Sequence, residues 1–346
     1  MCGGVTSHTV TAPARFTPTA AATAYWLRQP GLGELRAEQL DPPGPDDVLV
    51  RTLHSGVSRG TELLVHRGGV PQDQRAAMRA PFQAGEFPGP VKYGYLSVGV
   101  VEEGPAALRG RTVFCLHPHQ TAYVVPATAV TVVPDAVPAR RAVLAGTVET
   151  AVNALWDLAP LVGDRIAVVG AGMVGCAVAR LLAQIPGVAV TLVDVDPGRA
   201  AVASALGARF AVPDQAPAGC DAVVHTSGNA SGLRLALGLL APEGEVLELS
   251  WYGDELVQLP LGGAFHSGRL AVRASQVGRV SPARRGSRSS ADRLGLALEL
   301  LADPAFDALL TGESDFADLP SVLAAMASGE LSALCHTIRY PEPPEA

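Results

Sequence analysis

Residues 165–182 read RIAVVGAGMVGCAVARLL, and the reading of the fold turns on them. Apolar β-formers run up to Gly170, and the apolar residues after Gly175 recur with helical spacing. Between them Gly170, Gly172 and Gly175 spell G-x-G-x-x-G. The pattern alone is weak. Behind an apolar strand and at the opening of a helix it has a physical reading as a dinucleotide-binding turn. Gly170 permits a tight turn, Gly172 lets backbone approach a pyrophosphate, and Gly175 lets helix pack on sheet. The N–H groups of the first helical residues, Met173 and Val174, would then face the phosphates.

The next strand, AVTLVD, ends at Asp194, nineteen residues after Gly175. A carboxylate there accepts hydrogen bonds from both ribose hydroxyls and repels a 2′-phosphate. Val195 and Asp196 follow it, not a cation, so NAD(H) is expected over NADP(H); Arg199 is the nearest counterweight. Thr226, closing the stretch DAVVHT, is a further expected cofactor contact.

Outward from this motif the texture is uneven. Strand and helix patterns alternate from 165 to about 277, implying a parallel sheet with helices on both faces. Upstream, from about 22 to 148, short β segments such as DVLVRTLHSGVS and RTVFCLHP are punctuated by Gly and Pro, which suggests a compact, mostly β domain. Downstream of Gly278 comes an arginine-bearing loop, RVSPARRGSRSS, then a helix–strand–helix–strand run. The expected division is a leader at 1–21, a mostly β domain at 22–148, a dinucleotide-binding domain at 149–277 and a closing segment at 278–346. The leader and the terminal PEPPEA are expected to be flexible.

Composition narrows the function. With 48% hydrophobic residues in 346, two ordinary cores can be filled. A net charge of −7 without an evident basic face speaks against nucleic acid, and no stretch reads as membrane-spanning. Five cysteines without a CxxC read as free thiols in a reducing cytoplasm. The partner expected is a small-molecule substrate.

With the glycine motif in mid-chain behind a β domain, the sequence resembles the medium-chain dehydrogenases/reductases. SRGTELLVHRGG (58–69) resembles that family's C-G-T-D-x-H stretch, GYLSVGVVEEG (94–104) its G-H-E-x-x-G-x-V segment, and residues 309–340 its closing strand–helix–strand. Within the family it looks closest to the group around bacteriochlorophyllide hydroxyethyl dehydrogenase. The resemblance implies an α/β fold: a GroES-like, mostly β catalytic domain plus a Rossmann doubly wound parallel sheet. It also implies a homodimer paired through the strand in RLAVRASQV.

The departures carry as much as the matches. At the positions of the zinc ligands stand Arg59 (or Ser58), Tyr95, Leu96, and Ala145 or Gly146; the four-cysteine lobe is missing as well. A zinc-independent enzyme is therefore expected. Tyr95, in place of a ligating histidine, would meet the substrate oxygen. Beside it is Lys92, the only lysine against 25 arginines. An ammonium there would favour a catalytic phenolate, though a snorkelling lysine and a core tyrosine are the plain alternative. By resemblance Thr61 is a proton-relay hydroxyl, Glu62 a carboxylate supporting the site and free to pair with Lys92 or Arg59, Thr150 a residue near the nicotinamide, and His117 a pocket residue. Glu149 would share that space or simply begin a helix. Cys115, His117 and His119 alternate and so share a strand face, which also admits a metal, although Pro118 breaks regularity.

The expected activity is a zinc-independent, NAD(H)-dependent interconversion of a secondary alcohol and a ketone, with a specialised metabolite among the candidate substrates. A redox-neutral epimerase holding NAD tightly, and a non-catalytic dinucleotide-binding protein, are the other readings.

Overall fold

The β-rich first third forms two sheets because its strands are short, β-branched and separated by turn residues. The computed structural model describes residues 21–341; the expectations for residues 1–20 and for 342–346 of the tail lie outside the described residues. The first elements are β1 (Ala21–Gln29), β2 (Leu32–Gln39), β3 (Asp47–Ser58), α1 (Thr61–His66), β4 (Ala84–Gly85), β5 (Val91–Lys92), β6 (Ser97–Glu103), β7 (Thr112–Cys115), β8 (Ala122–Pro126) and β9 (Val130–Val132). A four-stranded sheet has the order β2-β1-β5-β4. In β3, Val48 and Val50 point into a core with Val101, Val113 and Tyr123, and the strand pairs with β8 and β6.

The helical stretch that follows breaks into α2 (Ala139–Ala142) and α3 (Ala145–Leu158). Then come β10 (Arg165–Val169), α4 (Met173–Ala183), β11 (Ala189–Val193), α5 (Ala200–Ala205), β12 (Arg209–Ala211), β13 (Cys220–His225), α6 (Ala230–Leu239), β14 (Leu240–Glu248), α7 (Ala264–Ser267) and β15 (Ala271–Ala274). These six strands form one parallel sheet in the order β12-β11-β10-β13-β14-β15. Strand order reverses between β10 and β13. In doubly wound sheets the ligand crevice opens there, outside the carboxyl ends of the strands.

The chain closes with α8 (Ser290–Leu300), β16 (Leu310–Asp315), α9 (Leu319–Ser328) and β17 (Cys335–Arg339). β17 runs antiparallel to β3, setting Cys335 opposite Ser58. The second sheet of the first domain thus reads β16-β17-β3-β6-β7-β9, with β8 also paired to β3. This return ties both chain halves around the end of β3.

α3 joins the two regions. Its first turn faces Leu96, Leu116 and Phe114, and a Cβ on Gly146 would stand 2.7 Å from Leu96 Cδ2. Farther along α3, Glu149 receives Arg293 Nε of α8 at 3.0 Å, and the same guanidinium donates to Asn153 and to the carbonyls of Val277 and Arg279. Both charged groups are buried. Glu149 is therefore a clamp between helices, and its carboxylate is not free for the nicotinamide. A buried pair of this kind is costly to break from one side.

Candidate active site

The glycine loop has its shape for reasons that are visible atom by atom. Gly170 has φ +109°, and a Cβ there would lie 2.7 Å from Ser227 N. A Cβ on Gly175 would stand 1.9 Å from Gly170 O and 2.6 Å from Thr226 Oγ1. Around Gly172 no atom lies within 4 Å of a built Cβ, so the backbone borders open space. α4 begins just after it with no side-chain cap, leaving its first N–H groups, those of Met173 and Val174, directed outward.

Asp194 is drawn to this loop. Its Oδ2 accepts from Ala171 N at 2.6 Å and its Oδ1 from Asp196 N at 2.9 Å. Thr226 Oγ1 donates to Gly170 O at 2.8 Å, bracing the turn from the β13 side. Arg199 lies 3.3 Å from Asp196, not against Asp194. Thr150 donates its hydroxyl back to Gly146 O at 2.9 Å inside α3. Open backbone at Gly172, an uncapped helix start and a carboxylate at the next strand end fit a dinucleotide: Met173 and Val174 for the pyrophosphate, Asp194 for a ribose.

On the other side of the junction, β3 ends at Ser58 and α1 begins at Thr61, while the segment after β5 brings in Tyr95. Tyr95 is partly exposed. It packs against the large core that includes α3 and α4, and against a second cluster holding Phe87, Tyr93 and Trp251. The Ser58 and Thr61 hydroxyls lie near its phenol. Burial, and then the Glu62 carboxylate, push that phenol up to about 12, and the two hydroxyls pull it only part of the way back. The phenol stays protonated at neutral pH, which corrects the expected phenolate.

Lys92 is not the cause of any shift at Tyr95. Its Nζ donates to Glu38 Oε2 at 2.7 Å and to Gln120 Oε1 at 2.8 Å, and it lies 5.9 Å from the centre of the Trp26 ring. The lone lysine pins β5 to β2 and to the segment before β8. A compact, rotatable ammonium can serve acceptors in two directions within a confined space, where a planar guanidinium demands a flatter arrangement.

Glu62 pairs with neither Lys92 nor Arg59. One oxygen accepts from Ser58 N at 2.8 Å and the other meets His119 Nε2 at 2.8 Å. His119 Nδ1 lies 2.7 Å from Ser55 Oγ, which lies 2.9 Å from the Tyr340 hydroxyl on the returning strand. His119 is the site residue that the family comparison passed over; its alternation with His117 was the available signal. His117 itself is sandwiched between Tyr123 (centroids 3.8 Å apart) and Phe82 (5.6 Å). Burial lowers it to about 3, and Nδ1 donates to Pro118 O at 2.9 Å, so the ring is neutral.

Cys115, His117 and His119 do not converge. Among the described residues no three His, Cys, Asp or Glu side chains are arranged to hold a metal. Arg59 or Ser58, Tyr95, Leu96, and Ala145 or Gly146, are not a zinc-binding set.

No family model and no curated protein matches the sequence. Solved structures do match in fold. L-idonate 5-dehydrogenase from Escherichia coli superposes with a TM-score of 0.77 at 15% identity, over 93% of this chain and 99% of that one. A putative zinc-binding dehydrogenase from Sinorhizobium meliloti, bound to NADP, gives 0.75 at 18% identity, over 92% and 99%. An alcohol dehydrogenase from E. coli complexed with NADH gives 0.73 at 16% identity, again over 92% and 99%. Sequence identities this low speak for architecture alone: the chain has the fold of the medium-chain dehydrogenases, a GroES-like domain joined to a Rossmann domain.

Proposed function

We propose that this protein is an oxidoreductase that interconverts a small alcohol and its carbonyl compound with NAD(H), using Tyr95 in place of a catalytic zinc. The observation that carries this reading is the placement of the Tyr95 phenol, near the Ser58 and Thr61 hydroxyls, where the first domain packs against α3 and α4 of the dinucleotide-binding domain. The solved structures with NADP and NADH, and the dehydrogenases among the fold matches, support the reaction class.

A bound nicotinamide would supply or remove hydride. The chain's own residues handle the oxygen. In reduction, the Tyr95 O–H donates to the carbonyl oxygen and its proton neutralises the forming alkoxide. The neighbouring Ser58 and Thr61 hydroxyls stabilise the phenol oxygen once the proton has left. Glu62 and His119 keep the end of β3 and the start of α1 in place behind them. In alcohol oxidation the same proton travels the other way. Asp194 supports NAD(H) over NADP(H), since its carboxylate at the ribose position repels a 2′-phosphate.

A panel of secondary alcohols and ketones read by NADH absorbance tests the proposal. Turnover with a member of the panel, lowered roughly a hundredfold in Tyr95→Phe with NADH binding unchanged, is the expected result. Undiminished turnover in Tyr95→Phe would remove Tyr95 from the chemistry.

A further inference from the structure

At the carboxyl ends of β13 and β14 lies a second polar cluster that the proposed reaction does not use. His225 is wholly buried. Its Nδ1 lies 2.8 Å from Glu248 Oε2 and 2.9 Å from Oε1, and its Nε2 lies 2.7 Å from Ser227 Oγ. Glu248 also accepts from Ser250 N at 2.7 Å and from the Tyr252 hydroxyl at 3.1 Å. Gly232 on α6 makes room for this: a Cβ there would lie 2.3 Å from Ser227 Oγ and 2.9 Å from His225 Nε2. Ser227, unlike the histidine behind it, is exposed.

The cluster is placed where a ligand is expected. Ser227 follows β13, the strand next to β10 across the reversal of strand order, and its backbone abuts Gly170 of the glycine loop. It therefore borders the crevice described above from the side opposite Asp194 and β11.

With a single proton on the imidazole, the acid sets the hydrogen-bond directions. A carboxylate facing Nδ1 requires the proton on Nδ1, so the neutral imidazole has Nε2 as an acceptor. Ser227 then donates its O–H to His225, and its remaining lone pairs face the crevice. The order serine–histidine–acid is also that of a nucleophilic triad. Here, however, the amide after the serine, Gly228 N–H, donates to Ser250 Oγ at 2.9 Å and is not free to hold an oxyanion. An oriented acceptor is the better account of the bonding.

We propose that Ser227, oriented by the buried His225–Glu248 pair, accepts a hydrogen bond from the bound dinucleotide, from a ribose hydroxyl or from the nicotinamide amide. His225 and Glu248 act as positioning residues, since they reach the ligand only through Ser227. This rests on the dinucleotide reading of the crevice but requires no substrate and no catalysis.

The test is a binding titration of the full chain with NADH, followed by fluorescence, and with ADP-ribose, followed by calorimetry. The variants are Ser227→Ala, Glu248→Gln and the double substitution, with thermal melts as controls. Ser227→Ala changes an exposed side chain and is expected to fold normally while weakening NADH about five- to tenfold. An equal loss for ADP-ribose assigns the donor to a ribose; a loss for NADH alone assigns it to the nicotinamide amide. Glu248→Gln should weaken NADH too, and should add no further loss on top of Ser227→Ala. Wild-type affinity in Ser227→Ala, or fully additive losses in the double variant, overturns the proposal while leaving dinucleotide binding in place. An unsubstituted protein that binds neither NADH nor ADP-ribose overturns both.

Discussion

Glu62 and His119 meet at 2.8 Å in the interior of the first domain, their side chains 4% and 1% exposed. The carboxylate also acts on Tyr95, and after burial its effect is to hold the phenol's proton on. Electrostatics at this site therefore favour a hydrogen-bond donor, which suits a carbonyl oxygen better than an alcohol. The pair also has a structural task, because Glu62 accepts from Ser58 N and so fixes the strand end near the phenol.

A pH signature follows. Alcohol oxidation requires a Tyr95 already deprotonated so that it can take the alcohol's proton, so its rate should climb with pH through the alkaline range without levelling near neutrality, the phenol lying at about 12. Glu62 raises that phenol, so Glu62→Gln should lower it and move the rising limb to lower pH, with the amide still able to bond His119. Rate profiles for both proteins across pH 6–10 decide it. A plateau near pH 7 in the unsubstituted enzyme, or a limb displaced upward in Glu62→Gln, is incompatible with this electrostatic account.

Lys92 should matter for stability and not for turnover. Lys92→Met leaves Glu38 and Gln120 without their shared donor in a mostly buried setting. A loss of about 1–3 kcal/mol in chemical denaturation is expected, as for a buried acceptor losing its partner. The rate per folded molecule should stay within a factor of two. A large kinetic defect with an unchanged denaturation midpoint would restore the lysine to the chemistry.

The contrast between these residues shows what a sequence makes legible. The doubly wound sheet could be read because Gly170, Gly172 and Gly175 carry local geometry within six residues, and Asp194 lies one strand on. The return of the chain to the first domain was readable only through resemblance, since the pairing of β17 with β3 joins residues nearly three hundred positions apart. Lys92 and Tyr95 are near neighbours in sequence, and that proximity misled: on extended backbone, neighbouring side chains diverge, so Lys92 finds Glu38 on β2 while Tyr95 finds Ser58 and Thr61. The alternation of His117 and His119 was visible but not the partner Glu62, and the Ser227–His225–Glu248 cluster, which depends on contacts between separate strands, had no local pattern to announce it.

Asp194 offers a direct test of cofactor choice. Its carboxylate is anchored by Ala171 N and Asp196 N, so it cannot easily swing away from a 2′-phosphate. NADH should bind at least tenfold more tightly than NADPH in parallel titrations, and Asp194→Ala should narrow the gap. The same substitution also frees the Ala171 amide, so some loss of NADH affinity is expected as well. Tighter binding of NADPH by the unsubstituted protein would reverse the assignment.

The last prediction concerns β15. All four of its residues are exposed, with Val272 38% accessible, and its only partner among the described residues is β14 on one side. A parallel sheet is ordinarily covered, and a bare apolar edge invites pairing with another chain. Leu256 and Leu261, also exposed, lie in the segment leading from β14 to this strand. Two copies related by a two-fold axis could set β15 antiparallel to its counterpart, closing both edges at once and joining two six-stranded sheets into one. Light scattering at micromolar concentration should then give twice the 35.6 kDa chain mass. Val272→Lys places a charge on that edge and should shift the mass toward a single chain without unfolding it. A single-chain mass for the unsubstituted protein contradicts the pairing, and a dimer undisturbed by Val272→Lys moves the interface elsewhere.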